Sequence, residues 1–535
     1  MRGTLTGLTQ RWYDEGYYGE RTIRDHVDDN IPQWGEREMV VWSNDRPEAT
    51  TLGATYERGR LVAGALLDLG LEPGDVVALQ MPNWVDAIVM YHACLQTGMI
   101  VLPIIHIYGV TEVDHILSAS GARAIMTPDI WNGMEFRDRA YPDRHDGLVW
   151  IVADDGDAEV PDGALAFSDV EARGHTGYER PALHADDVHV TNYTSGTTAE
   201  PKGVLHSHNS LLAECFGSFE ATDDRPGEVI MVSPNPVGHI AGLLADIVMP
   251  LLIGQKIVMM DGWDPGACLE LFEEHRATKS GGAPFFLQGL IDHPDLTKRD
   301  TSAMRVFGCG GAGVSPRLIE AADAVGWISF RSYGSTEHPS ITGGAIEEPL
   351  ESRAHTDGPP GPGCEVRIVD PESGQDVPVG EPGEIWSRGP DMCVGYANPA
   401  HNEAFTDDGW YRTGDIGILD ADGRLAVTDR IKDIIIRGGE NISAREVEEV
   451  LGTHPKVTEA AAVAIPDERY GERVCVFVIP ADAAEPPDLD DIAAHFAAAG
   501  VAKQKTPERV EIVTDFPRTL AGKVKKYKLR EGLGG

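Results

Sequence analysis

An alternation of strand-like and helix-like runs from residue 55 into the 330s limits the fold more than anything else in this chain. The stretch 55–69 reads as a helix and VVALQMP (76–82) as a buried strand. Residues 84–97 read as another helix and MIVLPII (99–105) as a strand, and ARAIMTP repeats the pattern. KIVMMD, RVFGCGG and WISFRSYGS extend it. Strands spaced by helices of this length predict an α/β domain whose sheets are mixed but mainly parallel.

Near Pro359 the pattern changes. GPPGPGCEVRIVD, GEIWSRGP and GRLAVTDR are short strand-like runs broken by Gly, Pro and Asp turns, which predicts a small β-rich subdomain over 359–430. After Arg430 an α+β pattern follows, with SAREVEEVLGTHP and DIAAHFAAAG as helices and TEAAAVAIP and RVCVFVIP as strands. The boundary falls within DRIKD, giving a large domain over 1–430 and a small one over 431–535.

Against 45 basic residues stand 86 acidic ones, a formal charge of -41. A surface this negative repels nucleic acid and anionic lipid, so neither is an expected partner. It repels ATP too, so a nucleotide site has to be a local island of positive charge or backbone donors. No apolar run is long enough for a transmembrane segment, and MRGTLTGLTQRWYDEG lacks the h-region of a secretory signal. Seven cysteines without a CxxC pair suggest neither a disulfide framework nor a zinc site, and point to a reducing cytoplasm.

The strongest local signal is YTSGTTAEPKG (193–203), between the β-like DVHVTN and VLHSHNSLL, which reads as helical. Backbone N–H groups around Gly196, with the hydroxyls of Thr194, Ser195, Thr197 and Thr198, suit phosphate oxygens, and Lys202 adds a point charge. The GxxxxGK[ST] spacing of a Walker loop is absent.

With this string, the chain resembles the adenylate-forming ligases, which include acyl-CoA synthetases, peptide-synthetase adenylation domains and firefly luciferases. Further motifs occur in the family's order along nearly the whole chain. The resemblance implies ATP, Mg²⁺ and coenzyme A as cofactors. In YGSTE it places Tyr333 and Gly334 beside the nucleotide, Thr336 on the AMP phosphate and Glu337 on the metal. CGGAGVSP sets Gly310, Gly311 and Ala312 against adenine, and WYRTGDIG offers Asp415 to the ribose. In DRIKDIIIRGGENIS, Arg430 meets the ribose, Lys432 is the hinge pivot, and Gly439 lets the pantetheine arm pass. PRTLAGKVKK supplies the catalytic Lys523 on a mobile C-terminal domain. His239 falls at a position beside the reactive carbonyl, where it gates the pocket; the alternative is a helix-start histidine packed on Pro236.

The implied acyl pocket gathers Ala241, Gly242, Ala245, Gly282 and Ala283. Asp246 follows His239 on the same helical pattern, with Leu243 between them at the i+4 step. There it either faces the substrate, pairing with an amine or hydroxyl, or is a solvated or helix-capped aspartate. RWYDEGYYGERTIRDHVDD and LPIIHIYGVTEVDHIL resemble ligases for cyclohexanecarboxylate-type and medium-chain acids. The reaction implied is acid activation to an acyl-adenylate with pyrophosphate release, then transfer to coenzyme A. The alternatives are loading of a carrier protein, activation of a small anion such as nitrite to modify an aromatic amine, and a non-catalytic nucleotide sensor. The oligomeric state stays open.

Overall fold

A computed structural model describes residues 6–139, 141–154, 160–194, 202–222, 224–344, 346–437, 440–467, 469–518 and 524–533. The expected alternation builds two eight-stranded sheets. The first runs in the order Thr342–Gly343, Ile328–Tyr333, Val306–Cys309, Lys279–Gly282, Ile230–Ser233, Lys256–Met260, Glu38–Trp42, Glu48–Thr51. Its six inner strands are parallel, and an antiparallel strand closes each edge. The second runs in the order Gly395–Tyr396, Lys202–Ser207, Val188–Thr194, Ile100–Pro103, Val76–Leu79, Ala124–Pro128, Val149–Ala153, Ala164–Ala166. It is parallel from Val188–Thr194 onward and antiparallel before it.

Parallel strands covered on both faces need continuous apolar runs, which is why VVAL and IVLP show no alternation. The helix Val85–Thr97 is apolar nearly all round, and all thirteen of its residues are buried. It shares one core with Val41, Met231 and Met259 of the first sheet and with Val77, Val101 and Ile151 of the second. Leu52–Asp68 forms the helix expected over 55–69; it starts earlier because the Thr51 side chain accepts from the Ala54 N–H.

One expectation fails locally. VLHSHNSLL, read as helical, is split: Lys202–Ser207 is a strand and the helix is His208–Ala221. Val204 and Leu205 find strand partners in Asn192 and Thr191. Ser207 then caps the helix by accepting from the Ser210 N–H.

The β-rich stretch forms a four-stranded antiparallel sheet of Glu365–Val369, Gly383–Arg388, Tyr411–Leu419 and Leu425–Arg430. Gly395–Tyr396 leaves it and pairs with Lys202–Ser207 of the second large sheet. After Arg430 the chain enters another sheet, made of Glu440–Ile442, Ile435–Arg437, Gly471–Pro480, Val457–Asp467 and Arg509–Ile512. The helices Ala444–Leu451 and Leu489–Ala498 share its core. Among the described residues no helix is long and apolar enough to cross a membrane.

Candidate nucleotide and acyl site

Thr194 ends one strand and stands opposite Lys202, which begins the next. Ser195, Gly196, Thr197 and Thr198 lie outside the described residues. The Lys202 ammonium is 5.5 Å from the centroid of the Tyr396 ring, and the Tyr396 hydroxyl donates to Glu337 Oε1 at 2.8 Å. This tyrosine therefore brings the lysine of the loop and the expected metal ligand into one neighbourhood. Burial, reinforced by the Glu337 charge, raises its phenol so that it remains a donor. Thr336 is placed through its backbone: its carbonyl accepts from His206 Nε2 at 2.8 Å. Burial lowers His206 to about 4, so a neutral imidazole makes this bond. At Gly334 a Cβ would sit 1.8 Å from the Pro339 carbonyl oxygen, so no other residue fits that turn.

Asp415 is 5% exposed and held from two sides. The Tyr333 hydroxyl donates to Oδ2 at 2.7 Å, and Arg430 Nε lies 2.8 Å from Oδ1, across the register pair Asp415–Arg430. Burial, then the Asp415 charge, raises the Tyr333 phenol. Gly310, Gly311 and Ala312 follow the strand Val306–Cys309, and the Gly310 N–H donates to the Gly282 carbonyl at 3.1 Å. That bond joins the expected adenine shelf to the expected acyl wall.

On the acyl side His239 is half-buried and starts a short helix. Its N–H donates to the Pro236 carbonyl at 2.9 Å, and its Nδ1 accepts from the Ala241 N–H at 3.3 Å. The helix-start geometry is thus present, and burial lowers the imidazole. Ala241 is exposed, Gly242 buried and Ala245 half-buried. A Cβ on Gly242 would come within 2.2 Å of the Pro236 oxygen. Gly282 adopts φ +147°, and a Cβ there would meet Asn235 Oδ1 at 2.6 Å.

The regular helical register drawn from His239 to Asp246 does not hold, because Leu243–Val248 is a π-helix. The Met249 N–H reaches back to the Leu244 carbonyl, and Gln255 Nε2 donates to the Ala245 carbonyl at 2.9 Å. Nor is Asp246 solvated: it is 0% exposed. Its Oδ2 accepts from Ser233 Oγ at 2.9 Å, while Oδ1 has no partner among the described residues. Burial raises this carboxyl well above the usual range, which favours its neutral form. Asn235, whose backbone N–H and side-chain amide both donate to Ser233 Oγ at 3.3 Å, links Asp246 to the Gly281–Gly282 wall by donating to the Gly281 carbonyl at 2.9 Å.

Lys432 lies in the turn Ile431–Asp433, and its side chain, Gly439 and Lys523 lie outside the described residues. Two further positions were not singled out from the sequence. Tyr396 sits in a glycine-containing loop with no periodic signal. Arg331 pairs with Asp357 through two bonds of 3.0 and 2.8 Å, and Asp357 Oδ2 accepts from the Val427 N–H, tying the first sheet to the four-stranded one.

Comparison with known proteins shows the family. Residues 27–397 match the model of the "AMP-binding enzyme" family and residues 446–523 that of the "AMP-binding enzyme C-terminal domain". The chain is 32% identical to the medium-chain fatty-acid–CoA ligase of Escherichia coli (strain K12), covering 100% of this chain and 94% of that one. It is 33% identical to a feruloyl-CoA synthase of Amycolatopsis sp, covering 91% and 94%. The ATP-bound crystal structure of MatB from Rhodopseudomonas palustris superposes with a TM-score of 0.85 at 27% identity, covering 96% and 99%.

Proposed function

The chain belongs to the AMP-binding enzyme family and is an acid–thiol ligase; from that premise we propose that its substrate is an apolar, medium-sized carboxylic acid, of medium-chain or alicyclic type. It activates the acid as an acyl-adenylate and transfers the acyl group to coenzyme A. The observation that carries the substrate class is the state of Asp246. Its Oδ2 accepts from Ser233 Oγ and burial favours the protonated form of its carboxyl, which disfavours presenting an anion to an amine-bearing acid. The relatives named for medium-chain fatty acids support the same reading.

A carboxylate is a poor acylating agent because its oxygen leaves badly. In the first half-reaction a substrate carboxylate oxygen attacks the α-phosphorus of ATP and the bond to the bridging oxygen breaks, releasing pyrophosphate. In the second, the thiol sulfur attacks the acyl carbon and the bond to the AMP oxygen breaks. Both steps depend on positioning and charge neutralisation more than on covalent help from the protein. Asp415, oriented by Tyr333 and Arg430, accepts the ribose hydroxyl protons. Glu337, oriented by Tyr396, is a hard oxygen donor suited to Mg²⁺, which when bound neutralises phosphate charge. Burial, reinforced by the Glu337 charge, raises the Tyr411 phenol nearby. Lys523 bridges the substrate carboxylate and the α-phosphate. Small-domain rotation about Lys432 then opens the path past Gly439. The seven free cysteines suit a reducing cytoplasm as the place of reaction.

The test supplies ATP, Mg²⁺ and coenzyme A with octanoate, cyclohexanecarboxylate, a hydroxylated aromatic acid and an aminated one, and identifies thioesters by mass spectrometry. The two apolar acids are expected to give the highest kcat/KM. Preference for the aminated acid overturns the substrate class. Thioester formed only on a carrier protein, or turnover of nitrite without thioester, overturns the assignment of the acceptor.

A further inference from the structure

Directly behind Glu337 the fold gathers donor atoms that the ligase chemistry does not use. His338 follows Glu337, Cys364 precedes the strand Glu365–Val369, and Asp391 follows Gly383–Arg388. His338 Nε2 is 3.0 Å from Asp391 Oδ1 and 3.5 Å from Cys364 Sγ, and that sulfur is 3.2 Å from the same oxygen. In a nucleophile–histidine–acid relay the imidazole serves two partners with two different nitrogens. Here one nitrogen faces both the thiol and the carboxylate, as ligands of a common centre do.

The size of the triangle suits zinc. Ligand distances of about 2.3 Å for sulfur and about 2.0–2.1 Å for nitrogen and oxygen in a tetrahedron give edges of about 3.5 Å for S–N and S–O, and about 3.3 Å for N–O. The S–N edge matches and the other two are shorter by about 0.3 Å. A second observation comes from Gly389. A Cβ there would lie 2.7 Å from Cys364 Sγ, 2.7 Å from His338 Nε2 and 2.9 Å from Asp391 Oδ1. Glycine thus keeps open a point nearly equidistant from all three donors.

Outer partners are also in place. His338 Nδ1 lies 2.9 Å from the Ser387 hydroxyl, which leaves Nε2 to face the centre, and Asp391 Oδ2 accepts from the Ser340 N–H at 3.2 Å. Glu214 lies against Asp391, its Oε1 taken by the Ser340 hydroxyl at 2.7 Å. His338 and Asp391 are buried, while Cys364 is only partly buried.

We propose that His338, Cys364 and Asp391 bind one Zn²⁺ ion as a clasp behind the Glu337 loop. Thiolate and imidazole donors select this borderline-soft ion over Mg²⁺. Cys364 loses its proton to solvent as the S–Zn bond forms, and thiolate and carboxylate together balance the dication. The clasp ties the residue after Glu337 to both strands of the β-rich sheet that flank the site. The inference does not depend on the substrate class proposed above.

The test is metal analysis of protein produced with zinc in the medium, followed by replacement with Co²⁺. About one zinc per chain should survive gel filtration, and the cobalt form should show a thiolate-to-cobalt charge-transfer band. Cys364→Ser should lose both, and Ser387→Ala should weaken binding about 10–100-fold without touching the ion. If either variant fails to fold, the parent still decides. Cys364 is partly buried while the other six are fully buried, so zinc should slow its alkylation selectively. A parent that takes up neither metal, a band that persists in Cys364→Ser, or alkylation of Cys364 unaffected by zinc shows that the triangle is only a hydrogen-bonded cluster.

Discussion

Replacing Asp246 by asparagine removes a titrating proton and almost no volume. The native carboxyl is 0% exposed, has one hydroxyl partner and is shifted by burial toward its neutral form. In the unfolded chain the same group ionises near pH 3.9, as free aspartate does. Between that value and the raised native one, the folded state binds the extra proton, so stability falls as pH rises, by about 1.4 kcal/mol per pH unit. At pH 7 the accumulated cost can reach at most about 4 kcal/mol, the whole interval above the unfolded value. Asparagine carries no such cost. It still accepts from Ser233 and, like the native acid, leaves one polar atom unpaired, so the unsatisfied-group penalty of about 1–3 kcal/mol nearly cancels between the two. Asp246→Asn should therefore stabilise the large domain by up to about 4 kcal/mol at neutral pH and by little near pH 4. Urea unfolding of parent and variant, followed by tryptophan fluorescence from about pH 5 to about pH 8, reads the difference directly. A stability difference that does not change with pH, or a variant less stable at pH 8 than the parent, would refute the neutral buried acid. The proposed substrate class would fall with it.

Lys523→Ala should lower acid-dependent pyrophosphate exchange by at least about a hundredfold, the scale of losing one charge stabiliser, with far-UV circular dichroism unchanged; exchange at the parental rate would mean the lysine is misassigned. In Gly439→Leu, exchange should survive while thioester yield collapses, because only the second half-reaction uses the pantetheine path; parallel loss of both rules that path out. Tyr396→Phe removes the bond to Glu337 and should weaken adenylation by about 1.5–3 kcal/mol, roughly 10–100-fold, with a higher Mg²⁺ requirement. An unchanged Mg²⁺ dependence would separate Tyr396 from the metal.

The sheets were legible from sequence because parallel strands covered on both faces must be apolar throughout, and runs such as VVAL and KIVMM can do little else. Capping serines and threonines, on the other hand, move boundaries that periodicity alone misplaces. Ser207 turned an apparent helix into a strand followed by a helix. Asp415 and Arg430, each expected at the ribose from a separate motif, are neighbours across one strand pair. Tyr396 was not legible, because a two-residue strand inside a loop carries no period. Asp246 shows how far spacing can mislead: a π-helix breaks the register on which its orientation was reckoned, and burial decides its charge. The cysteine spacing gave no sign of a metal site. His338, Cys364 and Asp391 come from three stretches whose only proximity is spatial. Sequence determined which segments form strands and helices, since that follows from local periodicity. Which distant side chains share a buried point, and which of them keep their protons there, depended on packing and desolvation, which only the tertiary structure supplies.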